Sequence, residues 1–119
     1  MPLTIRSATG EHLFTVAVAA TPEQQEHGLM FYRSLGADQG MIFPYDPPAA
    51  VSFWMKNTLI PLDMVFIRAD GTIARIVTAR PLDVTPVPSG EPIAAVLELR
   101  GGRADELGIR EGDHVEWQR

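Results

Sequence analysis

Nineteen residues, Phe53 to Gly71, reading FWMKNTLIPLDMVFIRADG, constrain this chain more than any other stretch. Two runs of strand-forming side chains flank a polar interruption, a proline corner and a tight-turn signal. Side chains alternate along a strand, so Val51, Phe53 and Met55 are expected on one face of a strand over Val51–Lys56, with Ser52, Trp54 and Lys56 on the other. Pro61 forces a corner, after which Asp63 to Arg68 resumes as a strand that is apolar on both faces. Asp70-Gly71 tolerates the positive φ of a tight hairpin, which makes Thr72–Ala79 the returning partner.

The flanking sequence extends the same pattern. Leu3–Ser7 and Leu13–Ala19 read as strands joined by a turn at Ala8-Thr9-Gly10. Thr21-Pro22-Glu23-Gln24 opens a short helix, with Thr21 as cap, Pro22 at the first helical position and Gln24 as the reciprocal partner. That helix stops near Gly28, and Leu29 to Tyr32 follows as its apolar end or as an irregular wall. Gly40–Phe43 is a short strand and Pro44–Pro48 is expected to break regular structure. Pro81–Pro92, with prolines at 81, 86, 88 and 92, reads as a long surface loop. Ile93–Leu99 is a buried strand. Arg103–Leu107 forms a second short helix closed by Gly108, and His114–Gln118 is the last strand. The expected fold is mainly β, a compact barrel-like or sandwich domain of seven to nine strands with two short helices, in one domain over residues 1–119.

Composition removes several function classes. Ten Lys and Arg face fifteen Asp and Glu, a net charge of −5 that opposes binding to phosphate backbones, so no nucleic-acid partner is expected. With no cysteine there is neither a disulfide nor a thiolate site. His12, His27 and His114 lack metal-ligand spacing, so no metal is expected. No Gly-rich phosphate loop follows a strand and no nucleophile elbow is present, so neither a cofactor nor a catalytic triad is proposed. Gly101-Gly102 before a helix start could hold an anion on free N–H groups, though turn geometry explains both glycines as well. Leu13–Ala20 ends in an A-x-A pattern, but it is short, lacks a basic leader and alternates like a strand. No run approaches the length of a membrane span.

Several segments occur in an order that carries a family likeness: Gly28–Arg33, Gly40–Phe43, Phe53–Ile67, Asp70-Gly71, Leu97–Leu99 followed by Gly101-Gly102, and Leu107–Val115. Together, over roughly residues 12 to 117, they resemble the DUF192 family, also called UPF0127. The resemblance implies a small β-barrel-like or sandwich domain of unestablished function and carries over no catalytic residue. Many family members follow a bacterial export signal or lipoprotein leader, which makes an exported or periplasmic location one expectation and the cytoplasm the other. The tail is also similar to a passage of PDZ domains, but no Gly-Leu-Gly-Phe carboxylate loop precedes it.

Six side chains are left for chemistry: Arg33, Trp54, Lys56, Asn57, Asp63 and Glu98. Asp63 either accepts backbone N–H bonds at a strand start or binds a cation or hydroxyl. Glu98 shares a strand face with Ala94 and Val96, so it points along an apolar wall and should need a partner, for which Arg33, Lys56 and Arg100 are the candidates. Trp54 suits either half-packing or ring stacking, and Lys56 and Asn57 would supply donors. The methionines at 30, 41, 55 and 64 are core fillers or an adaptable pocket wall. The reading these residues favour is a non-catalytic small-molecule-binding or accessory domain with a cleft beside Phe53–Asp63. The alternatives are a small hydrolase or lyase using Asp63 and Glu98 as acid and base, and a protein interaction module using a strand edge or the Pro-rich loop.

Overall fold

The computed structural model describes all residues from Met1 to Arg119. Strands β1 (Pro2–Ser7) and β2 (Gly10–Val18) pair antiparallel across the expected turn. Helix α1 (Pro22–His27) carries the complete capping box: the Thr21 hydroxyl accepts from Gln24 N–H, and the Gln24 side chain accepts from Thr21 N–H. The helix ends at Gly28, so Leu29 to Tyr32 is an irregular wall rather than helix. This crossover lets β3 (Gln39–Ala49) return parallel to β2.

Next come β4 (Ser52–Phe53), β5 (Leu62–Ile67) and β6 (Ile73–Ala79), the last two joined by the Asp70-Gly71 turn with Gly71 at φ 89. Strand β7 (Val87–Pro88) pairs with β4. β8 (Ile93–Arg100), α2 (Arg103–Leu107) and β9 (His114–Trp117) complete the chain. No helix is long and apolar enough to cross a membrane.

Seven strands form one sheet in the order β6-β5-β8-β3-β2-β1-β9. It curls into a half-barrel whose two edges meet: Ile73 N–H donates to Asp113 O and Val115 N–H to Gly71 O, both at 2.8 Å. Curling gives the central strands two apolar faces to bury. Val65, Ile67, Leu97 and Leu99 fill the inside with Ile5, Phe14 and Val16. Met64, Phe66 and Val96 face outward into a second core, where Leu29, Phe43 and Met55 cover them. The unbroken burial of Leu62–Ile67 follows from this double cover, which is why its sequence lacks a polar face.

Three local expectations are corrected. β3 does not stop at Phe43; it runs through Pro44, Pro47 and Pro48, and its register with β8 shifts between Pro44 and Ala49, which accommodates residues that cannot donate to a ladder. The strand expected over Val51–Lys56 is regular only at Ser52–Phe53, although Met55 stays buried while Trp54 and Lys56 stay exposed as the alternation requires. The Pro81–Pro92 loop is not free surface throughout, because it contributes β7 and donates Leu82 N–H to Thr58 O at 2.9 Å.

Gly40 sets how closely β3 approaches its neighbours. A Cβ there would sit 2.6 Å from Glu98 O and 2.9 Å from Leu99 Cδ2. Both obstacles are fixed in the sheet, so Gly40→Ala is expected to destabilise the fold by about 2–3 kcal/mol through overpacking. Urea denaturation of wild type and variant at one pH checks this; an unchanged midpoint would contradict it.

Candidate functional site

A cavity of about 200 Å³ opens on the outer side of the sheet, between α1, β3, β8 and the segment Ser52–Thr58. Glu98 stands at its floor. On β8 it lies opposite Met41 of β3 and Met64 of β5, so it projects from the middle of the sheet into the second core. The strand alternation foretold this direction. The partner it foretold is missing.

None of the proposed counter-charges pairs with it. Arg33 is exposed and does not line the cavity. Arg100 pairs with Glu106 at 3.0 Å. Lys56 lines the cavity but rests its ammonium 5.3 Å from the centroid of the Trp54 ring. Glu98 is only 4% exposed, and burial alone pushes its carboxyl up to about 8. No buried side-chain oxygen in the protein is both sealed and unbonded, so this carboxyl looks onto the cavity rather than into packed apolar atoms. Burial therefore favours its neutral, protonated form at pH 7, and the carboxyl faces the cavity.

Most of the walls come from the motif segments, and the residues of α1 and Tyr45 add to them from outside any motif. Gln25, Glu26 and His27 of α1, together with Met30, form one side; Phe43 and Tyr45 of β3 form another; Phe53, Trp54 and Thr58 close the third. Desolvation, aided by the nearby Glu98, pushes the Tyr45 phenol up to about 12. Phe43 and Phe53 meet edge to face with centroids 5.0 Å apart. Of the six side chains singled out from sequence, Trp54, Lys56 and Glu98 share this cavity.

The other three do not line it. Arg33 is surface. Asn57 occupies the left-handed position of a turn, at φ 54, closed by Thr58 N–H donating to Met55 O at 3.1 Å. Asn tolerates that conformation better than most residues, and here its own carbonyl accepts from Phe31 N–H at 2.9 Å. Its contribution to the site is through the backbone.

Asp63 points to the opposite face of the sheet from Glu98. One carboxylate oxygen accepts from the Thr78 hydroxyl at 2.7 Å and Gly102 N–H at 2.9 Å, and the other from Ala104 N–H at 2.9 Å. Gly102 is the N-cap of α2 and has no side chain with which to cap it, so Asp63 supplies the cap from β5. Two carboxyls on opposite faces of the sheet do not flank one reacting bond, which counts against the alternative reading of Asp63 and Glu98 as an acid/base pair. The same bonds, with Gly101 N–H donating to Pro61 O at 3.0 Å, occupy the amides that an anion at Gly101-Gly102 would need.

Left-handed backbone falls in segments next to lining residues and not in the lining itself. The non-glycine residues with positive φ are Phe31 at 64, Asn57 at 54 and Leu82 at 63. They belong to three segments tied together by the Phe31–Asn57 and Leu82–Thr58 hydrogen bonds and by Met55 N–H to Asp83 O. A left-handed Phe or Leu costs on the order of 1–3 kcal/mol, and such residues persist only where surrounding structure fixes them. Phe31 and Leu82 are held more than half exposed as a result.

A second hollow of about 470 Å³, more apolar, lies among Val18, Ile42, Pro44, Pro48, Ala94 and Trp117. Arg119 forms part of its wall, stacked 4.4 Å over the Trp117 ring and donating to Ala69 O. No three His, Asp or Glu side chains converge to hold a metal ion.

Fold and site together define a β half-barrel domain with a side cavity lined by aromatic residues over Glu98. The chain belongs to the DUF192 family, described as Uncharacterized ACR, COG1430, whose profile matches residues 4–117. A crystallised protein of unknown function from Novosphingobium aromaticivorans DSM 12444 is 46% identical with a TM-score of 0.96; the match covers 98% of this chain and 84% of that one. A candidate transcription regulator from Sinorhizobium meliloti 1021 is 43% identical with a TM-score of 0.93, over 97% of this chain and 91% of that one. No curated protein matches the chain.

Proposed function

We propose that this domain binds a small molecule in the cavity floored by Glu98, without catalysing a reaction on it. The observation that carries the reading is a buried, unpaired carboxyl opening onto space. Burying such a group without a partner costs several kcal/mol, and a sequence free to vary at this position removes that cost with any apolar residue. A cavity of about 200 Å³ has room for only about six or seven waters at ~30 Å³ each. It lies below the ~300–1,000 Å³ typical of drug-sized sites, which points to a ligand of few atoms. Trp54, half exposed at the mouth, and Lys56 beside it are the groups such a ligand passes.

The test is protein NMR with a panel of small cations, anions and neutral molecules. The indole N–H of Trp54 is expected to shift with at least one class, while that of Trp117, which lies outside this cavity, stays in place. A panel that leaves Trp54 and the amides around Glu98 unmoved would remove the binding reading.

A further inference from the structure

We infer that the ligand of this cavity is a small organic ammonium, a primary or methylated amine, held between the carboxylate of Glu98 and the aromatic rings of Phe43, Tyr45, Phe53 and Trp54. The inference rests on the binding reading above and names its chemistry. Four aromatic side chains and two unpaired carboxyls, the buried Glu98 and the exposed Glu26, line the same small space. Ring faces carry negative potential and attract cations, most strongly where water is excluded, and an aromatic cage with an acid is the arrangement that suits an alkylammonium. Trp54 already takes an ammonium on its ring, that of Lys56.

The alternatives suit the site less well. An anion would lie near the exposed carboxylate of Glu26, and the lining cation Lys56 sits by Trp54 at the mouth, away from a position paired with Glu98. A neutral molecule could accept a hydrogen bond from the protonated carboxyl but would gain from the aromatic lining only apolar cover. The net charge of −5 draws cations towards the domain as a whole.

Binding is coupled to a proton. The free cavity holds Glu98 as the neutral acid; a bound ammonium requires the carboxylate, so the carboxyl proton passes to solvent as the cation enters. The other titratable groups facing the cavity are Glu26 and His27 from α1, Tyr45 from β3 and Lys56 from the turn after β4, while β5 contributes Met64 beneath. Tyr45 stays neutral throughout the range of interest.

The probe is tetramethylammonium, whose charge is independent of pH, titrated into the full chain by calorimetry and NMR beside tert-butanol and pivalate as neutral and anionic counterparts. Tetramethylammonium is expected to shift Trp54 and to release about one proton at pH 6–7. Its affinity should rise roughly tenfold per pH unit towards pH 8 and then level off. Glu98→Gln keeps the shape of the floor and is expected to lose at least tenfold in affinity together with the proton release. His27→Gln, which removes the imidazole at the mouth, should keep the pH dependence. Preferential binding of tert-butanol or pivalate would overturn the ammonium assignment and leave the binding reading standing. Tetramethylammonium binding that is unchanged in Glu98→Gln, or pH dependence lost in His27→Gln, would overturn the role given to Glu98. If none of the three probes moves Trp54, the ammonium assignment fails, and the broader panel above decides the binding reading separately.

Discussion

Glu98→Gln is expected to make this protein more stable, by about 3 kcal/mol at pH 7, and by progressively less as the pH falls towards 5. The sign follows from the direction of the shift. Burial raises the Glu98 carboxyl from its ordinary 4.5 to about 8. Between those limits the folded chain holds a proton that the unfolded chain has released. Stability therefore falls as pH rises, by up to ~1.4 kcal/mol per unit, and the loss is complete above about pH 8. Gln has the same shape and never ionises, so the variant lacks that slope. At ~4 °C per kcal/mol, a rough figure for a domain of this size, the unfolding midpoint should rise by about 10 °C at pH 7. Urea denaturation at pH 5, 7 and 8 gives the comparison. A variant that is less stable at every pH, or a difference that does not change with pH, would mean that the carboxyl is paired in the folded protein. Most substitutions of buried residues destabilise; one that stabilises marks a side chain retained for something other than the fold.

What was legible in the sequence was local. Thr21, Pro22 and Gln24 specify a helix start within four residues, and Asp70-Gly71 specifies a hairpin within two, because each signal satisfies its own backbone groups. Period-two alternation placed Glu98 with Val96 on an apolar face and kept Trp54 and Lys56 out of the core. Pairings between distant segments were not legible. Charge alone nominates Arg33, Lys56 and Arg100 for Glu98, yet none pairs with it: Arg33 is surface, Arg100 pairs with Glu106, and Lys56, though it lines the cavity, sits against Trp54. The α1 wall at Gln25, Glu26 and His27 has no motif, since its residues reach the cavity only through the crossover that makes β3 parallel to β2. Tyr45 was hidden for another reason: prolines suggested a break after Phe43 where a register shift lets the strand continue. Phe31 and Leu82 hold left-handed backbone that neither side chain announces, whereas Asn57 does. Sequence thus marked the floor and one lip of the cavity, and topology supplied the remaining walls.

Asp63→Asn is expected to cost about 3–5 kcal/mol, and Asp63→Ala at least as much, while the Glu98 cavity keeps its shape. The carboxylate is buried and accepts three hydrogen bonds from groups with no other partner nearby: the Thr78 hydroxyl and the amides of Gly102 and Ala104. Hydrogen bonds to a charged acceptor contribute roughly 1.5–3 kcal/mol each, and a buried donor left without one costs about 1–3 kcal/mol. Asn retains one acceptor oxygen but turns an NH₂ group towards the Ala104 or Gly102 amide, setting donor against donor. The damage should be concentrated at α2, a helix of five residues that is too short to persist unsupported and has a glycine as its cap. Amide exchange read across the chain is the discriminating measurement: protection should fall first over Gly102–Gly108, well before Ile93–Leu97. Trp54 should keep its chemical shift in the folded variant, because Asp63 and Glu98 occupy opposite faces of the sheet. Loss of the Trp54 environment together with α2 would instead tie the two carboxyls into one unit and restore the shared role that their geometry denies. A cap lent by a strand to a helix 39 residues later in the chain also explains why the most site-like carboxylate of the central segment is bound up in holding the fold. Under the binding reading proposed above, the buried carboxyl left for a ligand is Glu98, which has no partner in the fold.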